Sequence, residues 1–195
     1  MIIAFEGIDG SGKTTQAKRL AERLDTEVFH PFDELGLGNE IRNFLNENQD
    51  EATQCLLMAL LHARMGEVLM GREIAGEVTI MDRSVYTFYA YQSRYLSSSN
   101  GALVTALMEP CIVKPHLVIL LDIDPLTASS RINDREEIDN FNDYGFQTVT
   151  RTRYLELAKD LNGVSEDNQW LVFEGDNDLD QLDNDISAEV DFLMP

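Results

Sequence analysis

Positive charge is scarce in this chain. Lys and Arg total 15 against 35 Asp and Glu, a formal net charge of −20 and a sequence pI near 4.3. Such a surface repels nucleic-acid phosphates over most of its extent, so direct nucleic-acid binding is not expected. Lysine is scarcest, at Lys13, Lys18, Lys114 and Lys159 only. Two readings of the acidity stand. One is adaptation to high salt, where a Debye length of about 3 Å at 1 M screens the self-repulsion; the other is plain solubility. Cysteine is nearly absent: Cys55 and Cys111 have no nearby Cys or His at ligand spacing, which leaves no zinc site or disulfide framework and suggests two core thiols. No apolar run approaches the roughly 20 residues of a membrane span, and the first residues lack a signal peptide's basic and apolar regions. A cytoplasmic protein without membrane contact is expected.

What is present is an ordinary hydrophobic fraction of 44% over 195 residues, enough for one domain, 1–195, burying on the order of 70% of its unfolded surface. Apolar runs at Ile2 to Phe5, Val28 to Phe29, Val78 to Met81, Leu117 to Leu121 and Leu171 to Phe173 read as buried strands. Between them lie helical patterns at Lys13 to Leu24, Asn39 to Asn46, Ala52 to Arg72, Val85 to Leu96, Leu103 to Glu109, Pro125 to Ile132, Tyr144 to Leu161 and Leu179 to Leu193. This alternation predicts an α/β fold, a parallel five-stranded sheet with helices on both faces. The polar breaks at Ser97 to Gly101 and Asn133 to Asp143 read as loops, the second as a lid at about 133–143.

Ligands of such sheets bind beyond the carboxyl ends of the strands, and the first strand ends in the strongest motif of the chain. Gly7, Ile8, Asp9, Gly10, Ser11, Gly12, Lys13, Thr14 and Thr15 follow the pattern of a glycine, four residues, then Gly-Lys-Thr, set between a strand and a helix. Glycines there let backbone N–H groups close around a polyphosphate at the positive end of the helix. Lys13 supplies a mobile ammonium for the outer phosphates and Thr14 a hydroxyl for Mg²⁺. The expected ligand is a nucleoside triphosphate, ATP, and the expected architecture is the three-layer P-loop NTPase fold.

The third strand ends in Asp82-Arg83-Ser84. At that edge a carboxylate can hold Mg²⁺ through water, and an arginine can grip a second phosphate. Were that second phosphate the acceptor of a phosphoryl group, it would already be ionised and need no strong general base, which casts Asp82 as a metal-shell and orienting residue.

The opening Phe5-Glu6-Gly7-Ile8-Asp9-Gly10-Ser11-Gly12-Lys13-Thr14-Thr15-Gln16 and the stretch Asp82 to Gln92, with its Ala90-Tyr91-Gln92, resemble the thymidylate kinases. Leu37 to Arg42, Pro115 to Pro125, and Arg151 with Tyr154 to Ala158 are similar too, so the likeness spans nearly the whole chain. It implies a phosphotransferase moving the ATP γ-phosphoryl group to dTMP, giving ADP and dTDP for dTTP synthesis. By the same resemblance Asp9 meets the 3′-hydroxyl of the acceptor, Arg83 binds its phosphate, Arg64 contacts its base or phosphate, and Thr87, Tyr91 and Gln92 line the sugar and base. Relatives of this kind are usually homodimers, and the apolar faces of Ala52 to Met70 and Val85 to Leu96 suit an interface or the monomer core. The phosphate loop carries no arginine, which resembles members that use a basic lid; Arg135 is then the candidate for charge on the transferring group, with Arg131 nearby. Both also have acidic neighbours, Asp134, Glu136 and Glu137, with which to pair.

Two departures stand out. His30 occupies the region where many relatives carry a phosphate-binding arginine and reads as structural. The phenylalanine that stacks on thymine falls at Leu60, so base selectivity is relaxed or supplied by Phe32 or Phe88. A broader deoxynucleoside monophosphate kinase or a deoxynucleoside kinase is the alternative. A nucleotide-binding switch would share the phosphate loop, but an Asn-Lys-x-Asp guanine-reading sequence is missing.

Overall fold

The computed structural model describes residues 1–31, 38–47, 50–92, 99–133, 143–162 and 168–194. In chain order the elements are β1 (Ile2–Glu6), α1 (Lys13–Arg23), β2 (Val28–Phe29), α2 (Gly38–Glu47), α3 (Glu51–Ile74), β3 (Thr79–Asp82), α4 (Val85–Tyr91), α5 (Ser99–Met108), β4 (Leu117–Asp122), α6 (Pro125–Asn133), α7 (Tyr144–Leu161), β5 (Gln169–Glu174) and α8 (Leu179–Leu193), with a 3₁₀ turn at Glu109–Cys111. The strands form one sheet in the order β2-β3-β1-β4-β5, parallel throughout.

Period-two alternation along the strands explains the layers. Ile3 and Phe5 of β1, with Ile80, Leu117, Ile119 and Leu121, face Ala17 and Leu20 of α1 and Leu182, Ile186 and Val190 of α8. Ile2 and Ala4 point the other way, with Phe29 and Met81, onto Met58, Leu61, Met65 and Leu69 of α3 and Phe88 of α4. On that face, Val118 and Leu120 of β4 pack with Tyr86, Tyr154, Ala158 and Trp170. Both faces are therefore covered along β1, β3 and β4, as continuous apolar strands require, while edge strand β5 is partly exposed. The chain leaves β1 toward β2 and β3 and returns across to β4, so the strand order reverses beside β1 and opens a crevice at its carboxyl end.

Three local expectations are corrected. Helix α4 ends at Tyr91 with Gln92 as its C-cap, short of Leu96; residues 93–98 lie outside the described set. The expected loop at Ser97 to Gly101 is helical from Ser99, because packing of α5 beside α3 outweighs the turn preference of Ser, Asn and Gly. Of the two uses open to the apolar face of α4, interface or monomer core, the fold takes the core: Val85, Tyr86, Phe88 and Ala90 are buried. Cys55 is a core thiol, but Cys111, on the 3₁₀ turn, is exposed. Among the described residues no helix is long and apolar enough to cross a membrane.

Candidate active site

The loop after β1 is held so tightly that side chains are excluded. A Cβ on Gly7, at φ 142°, would stand 2.6 Å from the Leu121 carbonyl oxygen. One on Gly10, at φ 83°, would stand 2.6 Å from the Ala128 carbonyl oxygen of α6. Gly12 caps α1 in the left-handed region, and nothing lies within 4 Å of where its Cβ would be. The loop thus rests on β4 and α6, with open space over the helix N-terminus. Arg131, from the last turn of α6, donates to the carbonyl oxygens of Gly175 at 2.9 Å and Gly10 at 3.3 Å, bolting the loop to the β5–α8 connection.

Lys13 is buried and donates to the Ile8 carbonyl oxygen at 2.8 Å, 3.9 Å from Asp9 Oδ1. Burial, reinforced by the Arg83 charge, pulls its ammonium down to about 8. Thr14 donates to Asp82 Oδ2 at 2.5 Å, so the two oxygen donors expected at a metal stand together. Mg²⁺ takes one or two protein oxygens beside phosphate and water, and this hard oxygen pair fits it. Among the described residues no cluster of three His, Cys, Asp or Glu forms a metal cage. His30 Nδ1 lies 3.8 Å from Asp82 Oδ2.

Arg83 follows β3 with φ 75°, unusual for a non-glycine residue, and its N–H donates to the Phe5 carbonyl oxygen at 3.0 Å. Its Nη2 bonds Asp9 Oδ1 and lies 3.4 Å from the Tyr91 hydroxyl, which itself donates to Asp9 Oδ2 at 3.3 Å. The guanidinium carbon sits 5.2 Å from the Tyr91 ring centroid, a cation–π arrangement. Nη1 is buried and has no hydrogen-bond partner among the described residues. Burial alone would raise the Asp9 carboxyl, but Arg83, Lys13 and hydrogen bonds from Tyr91 and Gln147 outweigh it and hold the group below the usual carboxylate range. Tyr91 is pushed up mainly by burial.

Gln92, buried, follows Tyr91 in the same turn. Thr87 belongs elsewhere: its hydroxyl bonds Glu6 Oε2 at 2.7 Å and lies 3.0 Å from the Tyr154 hydroxyl, so it faces the interior rather than a sugar. Thr87 sits three residues after Ser84 on one face of α4, which turns both toward Glu6. Arg64 is not gathered with these residues. It is exposed on α3, paired with Glu67, and His62 takes the inward position, buried against Phe88 with Nε2 unpartnered among the described residues. Leu60 is exposed as well. Arg135 and Phe32 lie outside the described residues. Sequence reading missed Glu6, Tyr154 and His62; the one available signal was a carboxylate ending an apolar strand.

A phosphate loop opening a helix, an oxygen pair suited to Mg²⁺ and a half-buried arginine across the crevice define a P-loop phosphotransferase. A family model described as thymidylate kinase matches residues 5–186. The chain is 32% identical over 166 residues to a probable thymidylate kinase of Methanocaldococcus jannaschii, covering 84% of this chain and 85% of the relative. To a thymidylate kinase of Paraburkholderia xenovorans it is 32% identical over 174 residues, covering 81% and 84%. A thymidylate kinase of Plasmodium falciparum shares 30% identity over 199 residues, covering 96% and 88%. The chain belongs to the thymidylate kinase family.

Proposed function

We propose that this chain transfers the γ-phosphoryl group of ATP to the phosphate of dTMP. The bond from the γ-phosphorus to the bridging oxygen breaks, a bond to an acceptor phosphate oxygen forms, and ADP and dTDP leave. The observation that carries the acceptor side is the buried Nη1 of Arg83: a charged donor without an acceptor is costly in a protein interior, and a phosphate oxygen satisfies it.

On the donor side, the N–H groups from Gly7 to Thr15 and the α1 dipole bind the polyphosphate, and Lys13 swings from the Ile8 carbonyl to its outer oxygens. Thr14 and Asp82 would hold Mg²⁺, which would supply charge screening of the donor phosphates. Asp9 and Tyr91, already joined to Arg83, orient the acceptor sugar, and Gln92 stands beside them for the base. Asp9 and Asp82 balance Lys13 and Arg83, so two nucleotides bring in negative charge that these four residues do not offset. The lid arginine Arg135, in the segment at about 133–143, supplies part of the difference, and a divalent cation held by Thr14 and Asp82 would supply the rest.

The chain acts in the cytoplasm as one kinase domain, 1–195, in a homodimer. Leu56 of α3, 57% exposed, and Leu103 and Leu107 of the neighbouring α5, 61% and 69% exposed, form the apolar surface that pairs with a second copy. The acidic surface adapts it to high salt. The reaction is tested by coupled ADP release with ATP and dTMP, dUMP, dCMP, dGMP or thymidine. Preference for dTMP supports the assignment, and equal use of purine monophosphates overturns it. The broader-specificity alternative draws on Leu60 standing where the resemblance expects a phenylalanine, which leaves no aromatic ring at that position.

A further inference from the structure

Glu6 is the last residue of β1, one position before the phosphate loop, and none of its surface reaches solvent. Four donors converge on its carboxylate. Oε1 accepts from the Ser84 N–H at 2.7 Å and the Ser84 hydroxyl at 2.6 Å. Oε2 accepts from Thr87 Oγ1 at 2.7 Å and the Tyr154 hydroxyl at 2.8 Å. Burial pushes this carboxyl up, against the pull of its donors and of Arg83. A single buried side chain therefore ties together the strand that carries the donor loop, the start of α4 and the middle of α7.

The backbone around Arg83 gives this knot a use. Arg83 stands in the left-handed region, which disfavours a side chain by about 1 kcal/mol or more and persists only when the surroundings over-determine it. Two N–H groups over-determine it here: that of Arg83 on the Phe5 carbonyl, and that of Ser84 on Glu6 Oε1. Both acceptors belong to β1. The Ser84 hydroxyl, also fixed by Glu6, caps α4 through the Tyr86 N–H at 3.2 Å. The direction in which the Arg83 guanidinium leaves the chain, toward Asp9 and Tyr91, is set by that pair of anchors.

We infer that Glu6 is a positioning residue for the acceptor phosphate: its carboxylate holds the backbone on both sides of Arg83, and so aims the guanidinium, without touching either nucleotide. The inference rests on the reading of Arg83 as the acceptor's phosphate ligand. It assigns Glu6 to the acceptor half of the site, although in sequence it is joined to the donor loop. What Glu6 provides is acceptor geometry, which an amide oxygen reproduces: in Glu6→Gln the oxygen takes the two Ser84 donors, and the NH₂ meets two hydroxyls free to rotate and accept.

The test measures KM for dTMP, KM for ATP and kcat in wild type, Glu6→Ala, Glu6→Gln, Arg83→Ala and the double variant Glu6→Ala/Arg83→Ala. Direct binding of each nucleotide is measured by calorimetry alongside. Glu6→Ala is expected to raise KM for dTMP about tenfold to a hundredfold, the loss of a charge-assisted hydrogen bond, with KM for ATP within about threefold. Glu6→Gln is expected to restore KM for dTMP to within about threefold of wild type. In the Arg83→Ala background, removing Glu6 is expected to add less than about threefold, because the two act as one unit. Equal loss for both nucleotides, additive single effects, or a Glu6→Gln as poor as Glu6→Ala overturns the inference. If Glu6→Ala fails to fold, Ser84→Ala against Tyr154→Phe decides: KM for dTMP rises in the first and not in the second, and equal effects overturn the inference. A wild type that binds dTMP and ATP but transfers nothing overturns the proposed reaction instead, while the calorimetric comparison still judges Glu6.

Discussion

His62 is expected to make this protein acid-sensitive by an amount that can be worked out in advance. The imidazole lies on the inner face of α3, its ring centroid 5.8 Å from that of Phe88, in a space also lined by Met65, Leu69, Met81 and Val85. Burial lowers its pKa from 6.5 to about 4. Between those values the unfolded chain binds a proton that the folded chain refuses, so stability is complete above about pH 6.5 and declines as pH falls toward 4. At pH 5 the loss relative to pH 7.5 is about 2 kcal/mol, or about 4–8 °C in Tm for a chain of this size. Replacement by Leu removes the titrating group, and it also removes an Nε2 without a partner, so His62→Leu is expected to be no less stable at pH 7.5. Surface carboxylates shift with pH in both proteins, so the comparison between them isolates the histidine. Urea unfolding of wild type and His62→Leu at pH 5 and 7.5, at constant molar salt, supplies the four free energies needed. The variant should lose about 2 kcal/mol less than wild type on acidification; an equal loss in both refutes the argument.

Three further outcomes are expected. Gly66→Ala places a methyl group 1.9 Å from the Cys111 carbonyl oxygen, so α3 and the 3₁₀ turn must separate, at about 3 kcal/mol or more in thermal unfolding. Thr14→Val removes the hydroxyl that meets Asp82, and the Mg²⁺ concentration for half-maximal rate is expected to rise at least about tenfold, with the melting temperature moving by no more than a few degrees. The melting temperature of the wild type should rise from dilute buffer to 2 M KCl. The surface pairs Arg19–Asp180 and Arg23–Asp191, which join α1 to α8, weaken with salt, but exposed pairs of this kind contribute little, while the net charge of −20 is relieved throughout; a flat or falling melt contradicts this.

The sheet and the phosphate loop were legible because each leaves a local signature. Strands buried on both faces are continuous apolar runs, and a loop around phosphates needs glycines at fixed positions before a helix. Helix rotation was not legible to that degree. Arg64 and His62 differ by about 200° around α3, so a shift of two residues in matching a motif exchanges a solvent-facing cation for a buried imidazole. The same holds for Thr87: its place in the motif suggests the acceptor, and only the packed fold reveals that α4 turns it toward Glu6. Ser99 to Gly101 carries turn chemistry and still begins a helix, because tertiary packing decides where propensities are weak. The knot at Glu6 joins residues 78 and 148 positions apart, a kind of proximity without a local pattern.

The central claim is that two anionic nucleotides lie side by side, one around Lys13 and the other on Arg83. Calorimetric titration of wild type and Arg83→Ala with dTMP and with a non-hydrolysable ATP analogue tests it most directly. The account requires dTMP affinity to fall about a hundredfold with affinity for the ATP analogue within about threefold, the loss of a buried charge-assisted phosphate contact on one side only. Undiminished dTMP binding, or an equal loss for both nucleotides, contradicts it.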